Sequence, residues 1–150
     1  MLKIRGNAKH NPPIIRICVL PTVPELLYNP SIGSSNGPRG VDCRALLDTG
    51  ADGTSITKQL AEAAQLTYRG KTRATGLSGE NFHRSWTTFI GLYSEADIGP
   101  LPFVLPEPLL AIEVRPYPAF DVIIGRDVLL LGDFTMKSNG EFEFSIPTNL

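Results

Sequence analysis

The run Val41-Asp42-Cys43-Arg44-Ala45-Leu46-Leu47 leads into Asp48-Thr49-Gly50-Ala51-Asp52. It predicts a strand that turns sharply as soon as it has delivered one carboxylate, because glycine supplies the backbone freedom a tight turn needs. An aspartate in a turn after a strand is common by itself, since its side chain readily bonds to its own turn. The pattern gains force from a second site late in the chain. There Phe120 to Ile124, apolar except for Asp121, runs into Gly125-Arg126-Asp127. A fold for this chain has to accommodate two short apolar strands, each ending at a glycine-marked turn that carries charge.

The rest of the sequence is punctuated in the same manner. Pro13 to Leu20 predicts a strand, and Ile56 to Leu66 a short helix, with Ile56, Leu60, Ala63 and Ala64 at helical spacing. Arg69 to Thr75 and Phe82 to Tyr93 predict strands flanking Gly76-Leu77-Ser78-Gly79, a hairpin signal. Six prolines between residues 99 and 118 (Pro100, Pro102, Pro106, Pro108, Pro116 and Pro118) exclude helix there and predict extended segments and turns. Residues 21 to 40 are rich in Pro, Gly, Ser and Asn and predict a long loop. Asp127 predicts the cap of a helical stretch from Val128 to Leu131, with Gly132 as its stop. Phe134, Met136, Phe142, Phe144 and Ile146 alternate with polar residues around Asn139-Gly140, the clearest hairpin of the chain.

A chain of 150 residues is most simply one domain, and 42% hydrophobic residues suffice for a core. A net charge of −1 gives no electrostatic case for nucleic acid as a partner. No run approaches the ~20 apolar residues of a membrane span, and Met1 to Asn7 lacks the apolar stretch of a secretory signal. A cytoplasmic protein is therefore expected, with no membrane partner. Cys18 and Cys43 read as two buried thiols rather than a bridge. His10 and His83 have no partner at metal-ligand spacing, so no metal site is expected.

Leu46-Leu47-Asp48-Thr49-Gly50-Ala51-Asp52, then a helix, a glycine-bounded hairpin, and Val122-Ile123-Ile124-Gly125-Arg126-Asp127-Val128-Leu129 resemble the retropepsin-like, retroviral-type aspartic proteases. The order and spacing match from about residue 13 to residue 146. The resemblance implies a mostly-β, closed β-barrel-type acid protease domain with one or two short helices, acting as a two-fold dimer. It divides the chain into an N-terminal tail at 1–12 and a protease domain at 13–150, with a long loop at 21–40, a flap at 73–82 and a Pro-rich insertion at 94–118.

The implied activity is hydrolysis of peptide bonds in extended polypeptides by Asp48 and its copy in a second subunit, since this chemistry needs two carboxylates sharing one proton and only one Asp-Thr-Gly is present. By resemblance, Asp48, Thr49 and Gly50 form the catalytic turn, with Thr49 bonding across the two-fold axis. Ala51, Asp52, Gly76, Leu77, Ser78, Gly79 and Ile123 would bind substrate. Gly125 would pack beneath the catalytic loop and Arg126 would pair with Asp52. The terminal segment Glu141 to Ile146 would interleave with chain ends of the second subunit.

Other readings stand beside these. Asp52 and Arg126 also make sense as an ordinary ion pair joining two loops. The flap also reads as a plain surface hairpin. Arg69, Lys71 and Arg73 share one face of a strand, most simply a solvated one, with a preference for acidic substrates as the functional reading. Ser78 is no hydrolase nucleophile, because Glu80 occupies the position where a nucleophile elbow requires glycine. Trp86 and Phe89 are core or flap-base residues. A non-proteolytic dimerisation or peptide-binding module on the same fold is the alternative from a different class, and a conditionally dimeric protease is a third.

Overall fold

The computed structural model of the chain describes residues 1–21, 40–76, 79–94 and 101–150. Its elements are β1 (Leu2–Asn7), β2 (Ile14–Leu20), β3 (Val41–Leu47), β4 (Ser55–Thr57), α1 (Lys58–Ala63), β5 (Thr67–Gly76), β6 (Gly79–Leu92), β7 (Phe103–Val104), β8 (Leu109–Val114), β9 (Val122–Ile124), α2 (Arg126–Leu129), β10 (Asp133–Met136) and β11 (Glu141–Ile146). Among the described residues strand far outweighs helix, so the chain is mostly β with two short helices.

The strands are short because glycine, proline and charge interrupt every apolar run. Their alternation sets which face turns inward. In β3, Ala45 and Leu47 are buried while Asp42 and Arg44 are exposed. Hydrogen-bonded neighbours follow the path β2-β3-β9-β4-β8-β6. Strand β6 then pairs back to β2, from Ile17 opposite Leu92 to Leu20 opposite Phe89, which closes the path into a barrel. Ile17, Val19, Ala45, Ile56, Ile90, Ala111, Val122 and Ile124 are fully buried in its core. Helix α1 adds Leu60 and Ala61 to that core.

Two strands surround the functional motifs in an order that local sequence does not announce. Strand β9 lies between β3, to which it is parallel, and β4, to which it is antiparallel. The connection from β3 to β4 therefore passes across the end of β9, and that connection is residues 48–54. The helix expected over Ile56 to Leu66 is accordingly shorter. Ser55, Ile56 and Thr57 are taken by β8 and β9, and the helix begins only where Thr57 caps it by accepting the N–H of Leu60.

The expectation of an N-terminal tail at 1–12 is corrected. Leu2–Asn7 pairs antiparallel with β11 along its whole length. Leu2 and Ile4 turn into the core while Lys3 and Arg5 face outward, where Arg5 meets Glu143 at 2.6 Å. On its other edge β11 pairs with β10. The reversal between β10 and β11 needs Gly140, whose φ is +91° and where a Cβ would meet the Lys9 backbone nitrogen at 2.6 Å. The Ala8 N–H, 2.7 Å from the Gly140 carbonyl, ties the end of β1 to this turn. Glu141 to Ile146, expected to interleave with a second subunit, has a partner from its own chain on each edge.

Strands β5 and β6 form a long hairpin with Gly76 opposite Gly79. A bulge between Tyr68 and Gly70, with Gly70 at φ +90°, displaces Arg69 from the ladder. The predicted loop at 21–40 falls almost entirely outside the described residues, as do Leu77, Ser78 and residues 95–100 of the proline-rich segment. The described part of that segment supplies β7 and β8.

Candidate active site

The parallel pairing of β3 and β9 continues one bond beyond the strands. The Asp48 N–H donates to the Ile124 carbonyl at 2.9 Å, so the aspartate leaves the barrel wall at the point where the second motif begins. Its Oδ1 accepts the Gly50 N–H at 2.9 Å, and its carbonyl accepts the Ala51 N–H at 3.2 Å. This is the self-bonded turn the sequence allows. Among the described residues Oδ2 has no hydrogen-bond partner. Asp48 is half-buried, and Thr49 and Gly50 are exposed.

Three residues of the second motif brace this loop. Gly125 lies directly under it: a Cβ there would stand 2.5 Å from the Gly53 carbonyl oxygen and 2.9 Å from that of Ala51. Contacts that short to backbone do not occur, so only glycine lets the loop cross the end of β9. Arg126 holds the loop from the side. Its N–H donates to the Ala51 carbonyl at 2.9 Å, one guanidinium nitrogen donates to the Thr49 carbonyl at 2.8 Å, and the other pairs with the Asp52 carboxylate. The planar guanidinium can serve two acceptors at once, which an ammonium on a flexible stem does less well. The Asp52 side chain is 94% exposed. An ion pair so open to water adds under about 1 kcal/mol to stability; what it fixes is loop position.

Asp127 is the brace that the sequence did not reveal. It was expected to cap the helix after it. Instead α2 starts two residues earlier, at Arg126 after Gly125, with no side-chain cap. The Asp127 carboxylate accepts the N–H and the hydroxyl of Thr54, both at 2.9 Å, and the N–H of Val128 at 3.0 Å. Thr54 is 1% exposed, so these bonds satisfy polar groups that water cannot reach. The partners are 73 residues apart, and the only local sign was an aspartate beside a glycine-arginine pair.

The structure thus brings together Asp48, Thr49, Gly50, Ala51, Asp52, Gly125 and Arg126. Ile123 lies beside them on β9, half-buried and facing away from the fully buried Val122 and Ile124. Gly76 and Gly79 belong to a separate element, the tip of the β5–β6 hairpin, while Leu77 and Ser78 lie outside the described residues. Among the described residues no group of three or more His, Cys, Asp or Glu can hold a metal ion, and no helix is long and apolar enough to cross a membrane.

Residues 33–128 match the sequence profile of the family described as Aspartyl protease. Among solved structures, the chain is similar to EIAV protease complexed with the inhibitor HBY-793. The two share 16% sequence identity, the match covers 83% of this chain and 91% of that one, and the TM-score is 0.51. At that identity the likeness is one of fold. No match is found among curated proteins. The family match spans more than half of the chain and contains both the Asp48 turn and the Gly125-Arg126 brace, so the chain belongs to the aspartyl protease family and has the fold of a retroviral protease.

Proposed function

We propose that this chain is an aspartic endopeptidase whose active site is completed by a second copy, with Asp48 of each copy forming a dyad. The observation that carries this reading is the Asp48 turn itself. Its carboxylate is anchored through one oxygen by its own loop, and the loop is braced from three sides by the second motif. A carboxylate used only to stabilise a turn has no need of such bracing.

In the dyad, two carboxylates at close range hold one proton between them because both cannot ionise. The ionised member takes a proton from a water molecule, which attacks the peptide carbonyl. The protonated member gives its proton to the carbonyl oxygen. The tetrahedral intermediate then collapses as the amine leaves with a proton from the dyad, and no covalent adduct with the enzyme forms. Thr49 stiffens the pair across the two-fold axis, Asp52 meets substrate main chain, and Ile123 lines a side-chain pocket. The hairpin tip from Gly76 to Gly79 closes over an extended peptide and excludes water. No cofactor enters the reaction.

The test is cleavage of a diverse peptide pool by wild type and Asp48→Asn across acid to neutral pH, read by mass spectrometry. Asparagine keeps the shape and removes the shared proton, so cleavage falls by about a hundredfold or more. If wild type leaves every peptide intact while forming dimers, the chain is a peptide-binding module and not a protease.

A further inference from the structure

Strands β5 and β6 carry a ladder of charge and aromatic rings on one face. Directly opposed residues share a face, and the register opposes Tyr68 to Trp86, Lys71 to Arg84 and Arg73 to Phe82. The bulge after Tyr68 makes this arrangement possible. Tyr68 and Lys71 are an odd number of positions apart, which in a regular strand would put them on opposite faces. Two of the rings are open to solvent, Tyr68 at 52% and Phe82 at 63% exposed, while Trp86 is buried. The Arg73 guanidinium lies over the Phe82 ring, 5.4 Å from its centre. The same face borders an open groove of about 650 Å³ between α1 and the hairpin. Buried Ala61, Leu66 and Trp86 line it together with the more exposed Lys58, Tyr68 and Arg84.

This face holds more positive charge than its own acids offset. Glu62, also in the groove, pairs with Lys58 at 3.7 Å, and Glu113 takes Arg84 through both oxygens at 3.2 and 3.3 Å. Arg69 and Lys71 are exposed, and among the described residues neither has an ion-pair partner. The opposition of Lys71 and Arg84 is itself unfavourable, because like charges directly across a ladder repel. Lys71→Glu would suit the hairpin better. Folding therefore does not account for Lys71, whereas a negatively charged occupant of this face does.

Strand β5 is the outermost strand of its path, bonded to β6 along one edge only among the described residues. Its other edge offers backbone groups with which an extended polypeptide can pair. Nucleic acid fits less well. Arg73 already covers one face of Phe82, and the Tyr68 ring leans on Trp86 at 59°, so neither ring is a free platform for stacked bases. We infer that this ladder and groove hold an acidic stretch of the polypeptide substrate, away from the bond that is cut. Its carboxylates meet Arg69 and Lys71, and one of its apolar side chains enters the groove beside Tyr68 and Trp86. The inference rests on the endopeptidase reading above, in which the β5–β6 hairpin is the element that closes over the substrate. The enzyme then selects substrates by acidity at a distance as well as by the side chains next to the cut bond.

The test has a binding arm and a cleavage arm. In the first, the Asp48→Asn protein, which holds peptide without cutting it, is titrated with a fluorescent Glu-rich peptide containing one Phe, with its Gln-for-Glu twin and with oligodeoxythymidylate. The Glu peptide binds about tenfold tighter than its twin, added salt weakens it, and Lys71→Glu on the same background abolishes the preference. Melting curves show Lys71→Glu at least as stable as its parent, so the loss is not one of folding. In the second arm, kcat/KM is measured for a peptide that wild type cuts, with and without a Glu-rich extension at either end. One extension raises it by about tenfold in wild type and not in Lys71→Glu. Equal binding of the Glu and Gln peptides, a preference that survives Lys71→Glu, or tighter binding of the oligonucleotide overturns the inference and leaves the protease reading intact. An acidic stretch that binds as expected but never speeds cleavage of the attached peptide overturns its assignment to the substrate. Binding as expected by a chain whose wild type cuts no peptide at all would sink the protease reading and leave the acidic-peptide groove standing.

Discussion

The Asp48 loop, between β3 and β4, and the terminal sheet β1-β11-β10 finish differently. The terminal sheet is complete: β11 has a strand on each edge, and its Phe142, Phe144 and Ile146 are buried. The loop is equally well braced, by Gly125, Arg126 and Asp127, but what it presents is open: a half-buried Asp48 with exposed Thr49, Gly50 and Asp52. One region spends its residues on holding the chain together, the other on holding a single carboxylate where another molecule can reach it. The lesson is that folding and activity are separable here. The residues that hold the chain together and those that present the carboxylate are different sets.

Mutations should therefore sort by region. The largest loss of stability belongs to the terminal sheet. Phe144→Ala, at a side chain with no exposure, should cost about 3–5 kcal/mol through lost burial and the cavity left behind, read as a shift in urea midpoint. A cost below about 1 kcal/mol would mean that the sheet does not secure the fold. Next comes Asp127→Ala, which strands the N–H and hydroxyl of buried Thr54. It should cost about 2–3 kcal/mol and lower cleavage as well, because the loop loses its floor. Arg126→Lys removes the fork to Thr49 and Asp52 and should cost less than about 1 kcal/mol in stability, with a larger proportional effect on cleavage. Equal effects on both would blur the distinction between the regions.

The smallest effect under ordinary conditions concerns the barrel wall that both regions share. Burial pushes the Cys18 thiol up to about 11 and the Cys43 thiol up to about 12, from an ordinary value of 9.0. In the unfolded chain these thiols lose their protons first, so their contribution to stability is complete below pH 9. It drains away as pH climbs from 9 toward 12. Urea midpoints should be flat from pH 7 to 8.5 and decline above pH 9, with a shallower decline in Cys43→Ala. An unchanged midpoint at pH 10.5 would show that the thiols ionise in place.

The sequence disclosed the parts of this molecule whose signal is local. Asp48-Thr49-Gly50 and Gly125-Arg126 are legible because a tight turn and a close backbone crossing demand those residue types. The β10–β11 hairpin is legible from alternation around Asn139-Gly140. What escaped depends on distant partners. Leu2 and Ile4 alternate with Lys3 and Arg5, but six residues reveal a strand only when β11, at the other end of the chain, is there to receive them. Ser55–Thr57 extends the helical pattern behind it, and only β8 and β9 make it a strand. Asp127 has the position of a helix cap by local rules. Its role was decided by Thr54, an unremarked residue in the other loop.

The central claim is that catalysis needs Asp48 from two copies, and a mixing experiment tests it most directly. Wild type and Asp48→Asn are equilibrated together at constant total chain concentration, and cleavage is followed as the wild-type fraction falls. If both carboxylates are required, only dimers with two wild-type chains act. Activity then follows the square of that fraction and drops to about one quarter in an equal mixture. A linear fall, to about one half, would show that each chain cleaves on its own and would contradict the account.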